Sequence, residues 1–371
     1  MTSDAKHIVI DARIRRSSTG RYVDRLIEHL QNIDHVHRYT ILVQPDDPWR
    51  PHVKNFSAIP CPYPQFSFNP LHQFGFTRQL RRLRPDLVHF TMTQQPIPYL
   101  GTIVTTTHDL TMFNFVRRGT TPLPVHWAKM TGYRFLFWWS HKKSKHIIVP
   151  TRTVAKELAD YEPFTKKKIV VTYEASEPPL KGKAEQPKNV SGDFLLYVGT
   201  AFPHKNLPKL IEAFDILHAK RPQLKLVLAG KRDIHSTELE SWARSHPSFS
   251  NIIFAGFVSD AELKWLYEHC AAYVFTSLSE GFGLPPLEAM AHGAPVVSSN
   301  ASCMPEVYEQ AAQYFNPHKP ADIAQQISLV LDDKKLRTQL IKSGYDQIKK
   351  FSWRKMAEET LTIYKACLQE T

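Results

Sequence analysis

The sequence is poor in cysteine: Cys61, Cys270, Cys303 and Cys367 are scattered over 371 residues and form no C-x-x-C pair. That spacing argues against a zinc site or a disulfide framework and fits a reducing compartment. Long apolar runs are also missing. No window approaches the roughly 20 apolar residues a membrane span needs, and the opening MTSDAKHIVIDARI reads as a first strand, not a secretory leader. No repeat of solenoid period and no long low-complexity tract occurs. The expectation is a soluble, cytoplasmic chain, with 42% hydrophobic residues to build a large core.

Acidic residues fall short in one half only. Residues 1–181 carry 26 Lys and Arg against 14 Asp and Glu, so the whole net charge of +12 lies there. Such asymmetry points to an anionic partner for that half, such as a phosphorylated acceptor or a phospholipid surface. Nucleic acid is not expected, because the charge is scattered and not gathered into a reader motif.

What is present is alternation. The length exceeds what one core usually supports, so two domains are expected. Strand-like runs stand at HIVID (7–11), YTILVQ (39–44), LVHF (87–90), IVTTTH (103–108), HIIVPT (146–151) and IVVTY (169–173). Helical patterns lie between them, as in RYVDRLIEHLQNI, where Tyr22, Leu26, Ile27, Leu30 and Ile33 recur every three to four residues. The segment 174–193, rich in Pro, Gly and charge, breaks the rhythm and is the linker candidate. Alternation then restarts with FLLYVG (194–199), LKLVLAG (224–230), NIIFAG (251–256), AAYVFTS (271–277) and APVVSS (294–299). The predicted class is α/β, with two Rossmann-like domains over 1–182 and 190–351 facing each other across a cleft, so that strand-end loops line both walls.

Between two of those strands, SLSEGFGLPPLEAMAHG (277–293) places Glu280 and Glu288 eight positions apart. Gly281, Gly283, Pro285 and Pro286 prevent both from sharing one helix. Glu280 is expected in a loop at a strand's carboxyl end. A proline suits the first helical turn, Glu288 is expected in that turn, and Gly293 supplies the stop. Helix-start N–H groups suit an anion, and carboxylates suit hydroxyls. Geometry alone also allows a plain strand–turn–helix with a dipole-favoured Glu288 and a solvated Glu280.

The run from Glu280 to Ala291, EGFGLPPLEAMA, closely resembles the E-x₇-E motif of retaining GT-B glycosyltransferases of the glycosyltransferase family 4 type. YVGTAFPHKNLPKLIEAF (197–214), NIIFAGFVSDAELKWLYEHCAAYVFTS (251–277) and SSNASCMPEV (298–307) follow in that family's order. RSSTGRYVDRL (16–26) and TTTHD (105–109) match it more thinly. The resemblance implies that Glu288 holds ribose hydroxyls and Glu280 the hydroxyls of the transferred sugar. It puts the backbone N–H groups of Gly281, Phe282, Gly283 and Leu284 near the sugar and diphosphate. Lys205, beyond the strand glycine Gly199, would neutralise the diphosphate, whose charge grows as it leaves. Thr200 departs from the arginine that often follows that glycine, with His204 or Arg232 as candidate replacements. His108 would reach the donor sugar. Gly20 would leave room for substrate in the first strand-to-helix loop, and Arg21 beside it is a further candidate.

By the same resemblance the expected chemistry is same-face transfer with retention, the leaving phosphate oxygen taking the acceptor's proton. No D-x-D occurs, so no metal and no cofactor is expected, the nucleotide-sugar being a co-substrate. The STGRY loop and the VGT…PHKN segment resemble bacterial mannosyl- and rhamnosyltransferases of surface polysaccharide. That favours GDP-mannose over UDP-hexoses as donor, with a glycan or lipid-linked acceptor. A scaffold that binds the nucleotide-sugar without turnover is the other reading. GYRFLFWWSHKKSKH (132–146) interleaves aromatic and basic residues. It reads either as a helix touching an anionic membrane surface, making the chain peripheral at the inner face, or as a buried helix with a solvated basic end. FSWRKMAEETLTIYKACLQ (351–369) reads as an amphipathic helix. In GT-B proteins such a helix returns to the first domain, so residues from about 352 to 371 are expected there.

Overall fold

The structure, a computed structural model, describes residues 5–17, 19–115 and 123–369. It divides into two compact units. The first runs to Leu110, resumes before the helix Leu123–Lys143, ends at Glu174 and regains the chain at Ser352; the second holds Ala175–Phe351 and the short stretch from Thr111. The break therefore falls at Glu174, earlier than the 182–190 that composition suggests. Residues 175–193 are irregular and largely exposed, but they are anchored at several points. Ala175 and Val190 are buried, Glu185 N–H donates to Ala261 O at 3.0 Å, and Leu180 N–H donates to His292 Nε2 at 3.0 Å.

In the first unit, β1 (His7–Asp11), β2 (Arg38–Val43), β3 (Phe56–Pro60), β4 (Leu87–Phe90), β5 (Ile103–Thr106), β6 (His146–Val149) and β7 (Ile169–Val171) form one parallel sheet. Their order is β3-β2-β1-β4-β5-β6-β7. The Val- and Ile-rich runs are buried on both faces, as parallel strands under helices must be. β3 is absent from the sequence reading; it ends on Pro60, which only an edge strand tolerates, and the edge is where it lies. The helix Gly20–Ile33 buries Tyr22, Leu26, Ile27 and Leu30, and the final helix Trp353–Gln369 packs along it, with Met356, Leu361, Tyr364 and Cys367 buried.

In the second unit, β8 (Phe194–Val198), β9 (Lys225–Ala229), β10 (Ile252–Gly256), β11 (Ala272–Phe275), β12 (Val296–Ser299) and β13 (Ala312–Phe315) make a second parallel sheet. The order is β10-β9-β8-β11-β12-β13. β13, AQYF, is a further short edge strand that shows no apolar run in sequence. Two parallel α/β units are what the predicted class requires. In each, the strand order reverses beside the first strand: between β1 and β4, and between β8 and β11. Loops at the carboxyl ends flanking such a reversal are where open sheets of this type bind ligands.

Candidate functional site

Glu280 sits in the loop beyond β11, with 14% of its side chain exposed. One hydroxyl fixes its backbone from both directions. Ser302 Oγ accepts from Glu280 N–H at 3.3 Å and donates to Glu280 O at 3.1 Å, while Cys303 Sγ lies 3.3 Å from the same carbonyl.

The helix Leu284–Ala291 follows, with Gly283 as its N-cap at φ 81°. A Cβ there would lie 2.2 Å from Tyr308 Oη, whose hydroxyl donates to Gly283 O at 2.7 Å, so both the backbone angle and the space demand glycine. Gly283 offers no side-chain cap, and Pro285 and Pro286, second and third in the helix, carry no N–H. The N–H groups of Gly283 and Leu284 donate to no described group. Phe282 is buried edge-on against Phe351 at 5.2 Å, which leaves its backbone, not its ring, for a ligand; Gly281 beside it is half-buried.

Glu288 corrects one expectation. The helix begins at Leu284, so Glu288 is its fifth residue and stands in the second turn, not the first. It is half-buried, and Tyr267 Oη donates to Glu288 Oε2 at 3.4 Å. The helix stops as predicted, with His292 as C-cap and Gly293 at φ 77°.

Lys205 closes a short 3₁₀ turn, Pro203–Lys205, beyond β8. Its Nζ donates to Glu280 Oε1 at 2.5 Å and lies 5.5 Å from the centre of the Phe275 ring. The turn is tied to the β11 loop by its backbone: Thr276 Oγ1 donates to Lys205 O, and Leu278 N–H to His204 O, both at 2.8 Å. The two loops beside the β8/β11 reversal are thus one rigid piece carrying a cation and a carboxylate. Of the candidates for the absent arginine, His204 is 5% exposed. Arg232 lines a pocket with Gly199, Gly230 and Gly256 and pairs there with Glu240 at 3.0 Å. Among the described residues no cluster of three or more His, Cys, Asp or Glu is placed to hold a metal ion.

In the first unit His108 follows β5, whose ladder ends at Thr106. His108 Nε2 lies 3.0 Å from Thr91 O, its Nδ1 lies 3.4 Å from Glu174 Oε1, and its ring meets Tyr22 edge-on at 5.0 Å. Below it runs a buried chain. Tyr22 Oη lies 3.2 Å from Thr106 Oγ1, which lies 2.8 Å from His89 Nε2; His89 Nδ1 lies 2.5 Å from Tyr364 Oη of the final helix. Burial, with the nearby His108, pushes the His89 imidazole down to about 3, so it stays neutral. Gly20 is buried, and a Cβ there would lie 2.7 Å from Ile14 O. Its missing side chain is required by the loop's own backbone, and the space expected for substrate is filled by Ile14 and Arg15. Arg21, next in the helix, is half-buried.

With this geometry in place, the likeness to known proteins is decisive. A model described as Glycosyltransferase Family 4 matches residues 19–175, and one described as Glycosyl transferases group 1 matches residues 181–347. The chain belongs to the family 4 glycosyltransferases. The serotype-specific mannosyltransferase WbdA of Escherichia coli is 32% identical over 248 residues, which are 62% of this chain and 30% of WbdA. The O-antigen chain mannosyltransferase RfbU of Salmonella typhimurium is 30% identical over 225 residues, 61% of this chain and 60% of RfbU. The matched region spans less than two thirds of either relative's length. Among solved structures, sucrose-phosphate synthase from Thermosynechococcus elongatus has the same fold, with a TM-score of 0.74 at 17% identity, covering 99% of this chain and 100% of that one.

In this family 4 chain the sequence reading missed the supports of its own candidates. Ser302 and Cys303 hold Glu280, Tyr308 shapes the bend, and Glu174 faces His108. Glu174 opens the linker candidate, and nothing local marks it as a partner of a residue 66 positions away. Tyr22 reads only as an apolar helix position, which it also is.

Proposed function

We propose that the chain moves a hexose, mannose in preference, from a nucleoside-diphosphate donor to a glycan or lipid-linked acceptor, with retention at the anomeric carbon. The observation that carries this reading is the Lys205–Glu280 pair at the strand-order reversal: a cation suited to a diphosphate, touching a carboxylate suited to sugar hydroxyls. Mannose is favoured because WbdA and RfbU are both described as mannosyltransferases. GDP-mannose is the proposed donor, ahead of UDP-hexoses.

In this reading Lys205 turns from Glu280 to the diphosphate and neutralises the charge that develops as the bond from the anomeric carbon to the phosphate oxygen breaks. Glu280, released, accepts hydrogen bonds from the hexose, and Glu288 accepts them from the ribose. The N–H groups of Gly283 and Leu284 supply donors in a bend whose backbone cannot relax. The phosphate oxygen takes the acceptor's proton as the new glycosidic bond forms on the same face. His108 is proposed as a further residue that contacts the sugar. No metal is proposed as essential, so EDTA should leave the rate unchanged. The setting proposed is the cytoplasm, at the inner face of the membrane.

The test is product stereochemistry by NMR, with GDP-mannose and UDP-hexoses offered alongside candidate acceptors. Retention is expected, and an inverted product refutes the mechanism. A second reading, binding without turnover, draws on Thr200 in place of a cation and on the engagement of Arg232 with Glu240. Donor-induced thermal stabilisation without nucleotide release would favour it.

A further inference from the structure

The first unit carries a surface that the donor reading does not use. Isolated exposed apolar residues are ordinary, but a contiguous set on one unit is not. Leu71 (79% exposed) and Phe74 (65%) project from the helix Pro70–Leu83, and Leu100 (71%) from the loop beyond β4. On the helix Leu123–Lys143, Trp127 (62%), Phe135 and Trp138 are exposed at spacings of eight and three, one stripe, with Leu123 and Val125 exposed at its start. The structure contradicts the notion of a helix buried along its apolar length; only Leu136, Phe137, Ser140 and His141 are inside.

These pieces are continuous. The Phe66 ring stacks on Tyr133 at 4.1 Å, which seats the segment before the helix Pro70–Leu83 on the longer helix. Trp139 Nε1 donates to Ile97 O at 3.0 Å, and Lys143 Nζ donates to Pro96 O and Tyr99 O at 2.9 and 3.0 Å, fixing the loop that bears Leu100. On the other side of that loop, Pro98 and Phe74 line an open groove of about 660 Å³ with Arg78, Arg81, Arg82 and Arg84. Among the described residues none of these four guanidinium groups forms an ion pair with a carboxylate. Helix-dipole complementarity accounts for Arg81 and Arg82 in the last turn, but not for Arg78 or for Arg84 beyond the end.

We infer that this face, formed by the helices Pro70–Leu83 and Leu123–Lys143 and the loop between them, docks the chain on an anionic phospholipid bilayer. Tryptophan, phenylalanine and leucine side chains enter the headgroup boundary, while the arginine groove takes lipid phosphates, which its planar forks fit. A polyanion alone would leave the tryptophan stripe in water. A protein partner would have to match four unneutralised arginines beside that stripe. The inference names the surface for the membrane setting proposed above, and it is tested without any nucleotide-sugar, so its failure leaves the donor reading standing.

The experiment is vesicle sedimentation with the full chain, using phosphatidylcholine alone and a seven-to-three mixture of phosphatidylcholine and phosphatidylglycerol. Wild type should partition onto the mixed vesicles at least about tenfold more strongly, and raised salt should reduce that excess. R81E/R82E should abolish the excess on anionic lipid, and W127S/F135S should weaken binding that survives raised salt. Both pairs are exposed, and circular dichroism checks that they fold. Equal binding to the two vesicle types, no binding, or binding unmoved by both variants overturns the proposal. So does a concentration-dependent dimer in size-exclusion chromatography that W127S/F135S dissolves, since the face then belongs to a second copy.

Discussion

Lys205 Nζ donates to Glu280 Oε1 at 2.5 Å, with each side chain 14% exposed, so the two charges neutralise each other within one unit. Neither charge is then left uncompensated in a site largely closed to water. On the proposed reading a nucleotide-sugar parts them, its phosphates and hydroxyls replacing each half of the pair. K205A is therefore expected to lower kcat/KM by about 10² to 10³, the usual loss when one fixed donor to a developing charge is removed. K205A and E280Q should be strongly non-additive in a double-mutant cycle of steady-state rates. Additive losses would mean the pair is incidental.

Gly283 tests the bend. Substitution by alanine brings a Cβ within 2.2 Å of Tyr308 Oη at a φ of 81°, so the N-cap must shift. Strain of this kind costs on the order of 1–3 kcal/mol. G283A should lower the second unit's thermal midpoint and weaken donor binding together. Unchanged donor affinity by calorimetry would remove the bend from the site.

Tyr364 tests the tie between the final helix and the strand beneath His108. Y364F leaves His89 Nδ1 buried without its partner, which costs about 1–3 kcal/mol. The loss should appear in the urea unfolding of the first unit, and the second should be unmoved. Deleting the chain from Ser352 onward should expose the face of the first unit that the helix covers and unfold that unit alone, since the helix belongs to it.

His89 also sets a pH dependence. Its folded pKa is about 3 against an ordinary 6.5. Between those values the unfolded chain takes up a proton that the folded chain refuses, so stability is full above about 6.5 and falls as pH drops. The slope approaches about 1.4 kcal/mol per pH unit. Buried His141, shifted downward by burial as well, adds to the same trend. The urea midpoint should fall from pH 7 to pH 5, and H89Q should flatten part of that fall.

The fold was legible wherever apolar runs were long and strands central. HIVID and FLLYV are buried strands because little else suits short apolar runs between amphipathic helices. β3 and β13 escaped because edge strands need no apolar run, and FSAIP even ends in proline. Glu280, Lys205 and His108 are singled out by motif alone; the sequence puts them in loops at strand ends and gives none of their contacts. Glu288 slipped a turn because the helix starts one residue before the prolines. Gly20 was read as space for a ligand and proved to be space for the Ile14 carbonyl, a distinction that only packing reveals. The Lys205–Glu280 contact joins residues 75 positions apart, and no local signal predicts it.

The most direct test of the account is isothermal titration calorimetry of GDP-mannose and the UDP-hexoses against wild type, K205A and E288A. Wild type should bind one of them, and E288A should bind it at least about tenfold more weakly with folding intact, the loss of hydrogen bonds to a charged acceptor. K205A should lose affinity for the free nucleoside diphosphate as well. Undiminished binding by E288A, or no binding of any nucleotide-sugar by wild type, would contradict the claim that the bend after β11 holds the donor.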